Sequence, residues 1–191
     1  MRTTPIARQA GAFAVEMGIV FMLFLAIVFA VLEVSRALYM WNTLQEVTRS
    51  AARAAAAADF SDPAALAQIK RAAIFRTASG ALVLADPITD AHIVIDYLAL
   101  ENQAGGMTQV PISSAALTCP TRNRLVCAAN SGDPSCVRFV RVRICQPGSN
   151  CTPVPYESMF PIVDLGLTVP ISTSIVRAES LGYTPGMAIC N

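Results

Sequence analysis

GAFAVEMGIVFMLFLAIVFAVL, residues 11–32, decides how the rest of the chain can be read. Residues 17–32 carry no charge, and Glu16 is the only charged residue between positions 10 and 32. Residues 17–32 alone would rise about 24 Å as a helix, short for a hydrocarbon core of about 30 Å. Counting from Ala10 gives about 34 Å, which crosses if Glu16 sits near a headgroup boundary or finds a partner. A carboxylate in that position is costly unless compensated, so it marks a functional position by default.

Upstream lies a short basic leader with Arg2 and Arg8. Downstream, a removed secretory signal would end in a small-x-small cut site. Here Glu33 interrupts the exit, and Ser35-x-Ala37 is the best and a poor candidate. A retained anchor is therefore the expectation. The helical pattern continues past it, with no Gly or Pro between positions 33 and 58. Glu33 and Arg36 are three apart and can pair. Asn42, Gln45, Glu46, Arg49 and Arg53 form a polar stripe, and Met40, Leu44, Val47, Ala51, Ala55 and Ala58 an apolar one. Tyr39 and Trp41 suit an interfacial aromatic position. One helix from about residue 10 to 58 is predicted, apolar all round at first and amphipathic later. The alanines of SAARAAAAADF allow close approach of another backbone, or simply favour helix.

The 191 residues allow one span and one modest domain. Mean hydropathy is +0.50, and 14 basic residues nearly balance 13 acidic ones, so no polybasic signature points to nucleic acid. Six cysteines, Cys119, Cys127, Cys136, Cys145, Cys151 and Cys190, all lie after position 118. An even number confined to one end points to disulfides and an oxidising compartment. The absence of CxxC and the distance to the single histidine, His92, argue against zinc. Six cysteines allow 15 pairings, and spacing does not choose among them. The basic leader favours a cytoplasmic start, and the cysteines independently place the rest outside.

Beyond the helix, Pro63 after Ser61 and Asp62 predicts a second helix, running to Gly80. Residues 92–100 read as a strand, followed by a loop at Gly105 and Gly106. Residues 137–145 alternate Val140, Val142 and Ile144 against Arg141 and Arg143, the period of a half-buried strand. LTVPISTSIVRAES supplies one or two final strands, with Pro170 arguing for an edge or bulge. Residues 113–134 read as loop. The fold expected is α+β: a long N-terminal transmembrane and amphipathic helix, a short helix, and a small antiparallel-sheet domain.

The string RQAGAFAVEMGIVFMLFLAIVFAVLEVSRALYMWNTLQEVTRSAARAAA resembles the N-terminal region of TadE-like pseudopilins, minor components of the Tad (Flp) type IV pilus system of bacteria. The ending LTVPISTSIVRAES is also similar to that family's final strand. The resemblance implies prepilin-peptidase cleavage after Gly11, a mature terminus at Ala12, and Glu16 as the fifth mature residue. It implies three parts: a leader at 1–11, a pilin-like helix at 12–58 spanning at about 12–32, and a periplasmic α+β domain at 59–191. It further implies an inner-membrane, non-enzymatic protein of pilus biogenesis and surface adhesion. Its partners would be the prepilin peptidase, other pilin and pseudopilin subunits, the inner-membrane assembly platform and the lipid bilayer. Met17 stands where major pilins of the system usually carry Tyr, which fits a minor subunit. The six cysteines are not part of the resemblance. A pseudopilin of a type II secretion system and a signal-anchored periplasmic scaffold or binding protein are the alternatives.

The motif also has a physical logic of its own. Cleavage after Gly11 would leave the apolar helix in place and create an ammonium on Ala12. Glu16 lies four residues on, on the same face. An ammonium, from the same chain or a neighbour, would compensate its charge. Asp90, His92 and Asp96 share a strand face only by parity, and no nucleophile motif, cofactor fingerprint or metal set accompanies them. Arg122, Arg124, Arg138, Arg141 and Arg143 form a basic cluster, expected as a solvated sheet face, with an acidic partner or anionic surface as the alternative. Asn150-Cys151-Thr152 matches a glycosylation sequon that a bacterial protein would not use.

Overall fold

The computed structural model describes residues 10–103, 105–148, 151–159 and 166–190. Helix α1 runs unbroken over Ala10–Ala57, as the pattern predicts to within a residue. The chain divides into two compact units, Met1–Tyr39 and Met40–Asn191. In the second unit the apolar stripe of α1 is buried: Met40, Leu44, Val47, Ala51 and Ala55 are each at most 1% exposed. Thr48, Ala52 and Ala56 join them, and the polar stripe is exposed. A buried hydroxyl needs a partner. Thr48 Oγ1 meets Ser172 Oγ at 3.0 Å, and Ser172 Oγ donates to the Leu44 carbonyl at 3.1 Å.

Helix α2 covers Pro63–Ala73, with Asp62 accepting from the Ala64 N–H at 2.8 Å as its cap. It stops well short of Gly80. The Phe75 N–H donates to Ala72 O and the Arg76 N–H to Arg71 O, closing the end with Phe75 at φ 60°. That is the Schellman arrangement, with Phe75 where glycine is usual. Burying Ile74 fully in the core outweighs the continuing helical pattern and the strain of a left-handed phenylalanine.

The sheet has the order β2-β1-β3-β4, antiparallel throughout. Its strands are β1 (Ile93–Gln103), β2 (Gly106–Pro111), β3 (Phe139–Ile144) and β4 (Thr173–Arg177). Strand β2 was not expected as a strand. The alternation in β3 is as predicted: Val140, Val142 and Ile144 are buried, and Arg141 and Arg143 lie on the other face. Strand β4 is at the edge, as Pro170 suggested. The inward residues of β1 and β3 close on α1 in two clusters. One gathers Leu44, Val47, Ile74, Ile88, Ile93 and Val142, and the other Ala55, Ala56, Phe60, Tyr97, Val140 and Leu181. The Phe60 and Tyr97 rings lie 5.4 Å apart. Burial, with the Asp59 charge second, pushes the Tyr97 phenol well above its ordinary value.

The stretch read as loop at residues 113–134 contains a third helix, α3 (Pro120–Ala129). Pro120 opens it at the position where proline is tolerated. Only Pro120 and Thr121 are buried, so no apolar periodicity marked it. Its hold is tertiary: Asn123 Oδ1 accepts from the Val137 N–H at 2.8 Å, and Cys127 is bonded to Cys136. The other disulfides are Cys119–Cys190 and Cys145–Cys151. All six sulfurs are thus used, one pairing out of the 15 open to the sequence.

The end of α1 has no basic residue in its last turn to satisfy its carbonyls. Residues 179–182 do so instead. Ala56 O accepts from the Glu179 and Leu181 N–H groups, and Ala57 O from the Gly182 N–H at 2.8 Å and Ser180 Oγ at 3.1 Å. The small side chains of Ala55, Ala56 and Ala57 are what let this backbone come so near. Here the close-approach role of the alanine run is realised.

Candidate functional site

The first unit has one feature set apart by chemistry, the apolar half of α1. Every residue from 11 to 24 is exposed in the isolated chain, including Phe13, Val15, Ile19, Phe21, Met22 and Phe24. A helix apolar all round and uncovered is in need of a non-aqueous surrounding. By length and composition α1 can cross a membrane.

Glu16 lies in this exposed segment, four residues after Ala12, so their Cα atoms are about 6 Å apart along the axis. Among the described residues Glu16 makes no ion pair. A methyl group added at Gly11 or Gly18 would meet nothing within 4 Å. Packing within the chain therefore does not require glycine at position 11. Arg2 and Arg8 lie outside the described residues. The expected pair at the end of the apolar run is present, Arg36 Nη1 to Glu33 Oε1 at 3.6 Å.

The Asp90, His92 and Asp96 group is not brought together as a site. Asp90 Oδ1 accepts from the Gly80 N–H, and His92 Nδ1 accepts from the Thr89 N–H at 3.0 Å, closing the turn before β1. Asp96 faces Arg141 across the sheet and binds both Arg141 and Arg143, through Nη2 at 2.9 and 2.7 Å. Those two arginines, expected as a solvated face, are instead partly buried and share one carboxylate. The sign was in the sequence: pairing β1 with β3 in this register puts Asp96 opposite Arg141.

Burial pushes the His92 imidazole below its ordinary value. A histidine with a depressed folded pKa binds fewer protons folded than unfolded, so stability rises with pH across its window. Its contribution is full above about pH 6.5 and is lost as pH falls below that. Urea midpoints should therefore decline between about pH 7 and pH 5, and the His92→Asn variant should show a flatter decline. An identical pH slope in the two proteins would remove His92 from this role.

Residues 11–53 match the family described as TadE-like protein. The matched stretch starts at Gly11 and lies wholly within α1. No curated protein and no solved structure matches the chain.

Proposed function

We propose that this chain with a TadE-like helix is a minor pseudopilin of the Tad (Flp) pilus. It is held by one span in the bacterial inner membrane, with its start cytoplasmic and its disulfide-bonded domain periplasmic. A prepilin peptidase cuts after Gly11, and the new ammonium of Ala12 pairs with a Glu16 carboxylate as subunits pack. The observation that carries this is the family match at residues 11–53. The match begins on a stretch, residues 11–24, that is exposed throughout and whose lone carboxylate is Glu16.

The physical support is consistent at each step. Among the described residues nothing packs against Gly11, and a residue without Cβ suits a tight peptidase site. A carboxylate in lipid is compensated by an ammonium on the same helical face, and a neighbour's ammonium would fix the register of helix packing. The apolar surface of α1 then serves the bilayer before assembly and neighbouring helices after it.

Processing tests the proposal. Co-expression with a prepilin peptidase should shift the intact mass to a chain beginning at Ala12 that stays in the membrane fraction. Gly11→Ala should abolish the shift, whereas Glu16→Ala should abolish incorporation into pili. A mature terminus at Met1, or one beyond Leu32, would sink the proposal.

A further inference from the structure

Strand β3 and its surroundings treat their arginines in two ways. Arg141 and Arg143 both pair with Asp96. Arg124 of α3, Arg138 just before β3 and Arg177 at the end of β4 instead line one open cleft of about 350 Å³. Among the described residues none of these three makes an ion pair. The only acid among the described residues that line the cleft is Glu179, which is exposed.

The gathering of these groups is built in by rigid connections. The Cys127–Cys136 disulfide and the Asn123 to Val137 hydrogen bond tie α3 to the entrance of β3. Phe139 and Arg177 are direct partners across β3 and β4, which fixes the place of Arg177 beside Arg138. The Arg124 guanidinium lies over the Tyr183 ring at 4.6 Å, which orients it without neutralising it. Converging like charges repel, so the arrangement is at its most favourable with an anion among them.

We propose that this cleft receives an acidic peptide segment of a partner protein. Planar guanidinium forks match carboxylates in bidentate geometry, and Arg138 and Arg177 are the groups left to make such bonds. Val137 and Leu181 give the lining an apolar component that a bare inorganic anion would not use. Phe139 and the Arg124-covered ring of Tyr183 flank the arginines, so the peptide's apolar side chains also find contacts there. The site lies within the second unit and does not depend on the pilus assignment.

The test uses the full chain in detergent and a fluorescein-labelled hexapeptide of alternating glutamate and alanine, followed by anisotropy. Saturable binding is expected, absent for the peptide with glutamine in place of glutamate. Arg177→Gln, at an exposed position, should weaken binding about tenfold, the value of one charge-assisted bond. Arg138→Gln should do the same. Arg141→Gln, outside the cleft and paired with Asp96, should leave affinity unchanged and so controls for net charge. The proposal is overturned by three results: no saturable binding, equal weakening by Arg141→Gln, or inorganic phosphate binding as tightly as the peptide. An unchanged melting temperature for Arg177→Gln shows that the fold is retained.

Discussion

Replacing Gly182 with alanine is expected to destabilise the second unit by about 2–5 kcal/mol. Two effects add. The residue sits at φ +78°, a conformation costing about 1–2 kcal/mol for a side chain with Cβ. The new methyl would also stand 2.5 Å from the Asp59 backbone nitrogen and 2.6 Å from its Cα. Those are main-chain atoms and do not swing aside, and overpacking of this kind costs about 1–3 kcal/mol. The displaced segment is the one that satisfies the last carbonyls of α1, so those bonds weaken with it. Gly186→Ala separates the two terms. Gly186 has φ +92°, but a methyl there would meet nothing within 4 Å. It should show only the conformational part. Urea unfolding of both variants checks this; equal losses would mean that the close approach to Asp59 contributes nothing.

The second large effect concerns Cys119–Cys190. Its ends are 71 residues apart, and a loop of that length constrains the unfolded chain by about 4 kcal/mol. Cys145–Cys151 closes a separation of 6 residues and is worth about 2 kcal/mol by the same relation. The double variant Cys119→Ser with Cys190→Ser should therefore lose roughly twice the stability of Cys145→Ser with Cys151→Ser. It should also release the end of the chain, including the segment that hooks α1. Limited proteolysis should then cut beyond residue 182 before it cuts elsewhere in the unit. If the short loop proves the more costly to open, chain entropy is not what these bonds supply.

Much of this was legible because it depends on period. The apolar run of α1, its amphipathic continuation and the in-out alternation of β3 are local patterns, and each recurs in the fold. The Asp62 cap and Pro63 were legible for the same reason, being short-range chemistry. What was not legible is set by distant partners. Helix α3 buries too little to show a stripe and is held by Asn123, Cys127 and their partners. Helix α2 ends early because Ile74 turns into a core built largely from other elements. The hook at residues 179–182 looked like the tail of a strand, and nothing in its composition announces that it meets α1. The positions Gly11, Ala12 and Glu16 were legible through charge in an apolar run and through resemblance. In the function proposed above their partners are a peptidase and neighbouring subunits, which the fold of one chain does not include.

The disulfide pattern also has a consequence for biosynthesis. In a domain delivered to an oxidising compartment in chain order, Cys127 and Cys136 emerge close together, as do Cys145 and Cys151. Cys119 emerges before all of them, yet its partner Cys190 arrives last. Throughout that interval its nearest neighbour is Cys127, the wrong one. An oxidant that joins cysteines in order of arrival would pair 119 with 127, 136 with 145 and 151 with 190, and every bond would be non-native. Production of this protein is thus a demand on thiol–disulfide exchange rather than on oxidation alone. A host strong in oxidase and poor in isomerase should accumulate the chain fully oxidised and misfolded.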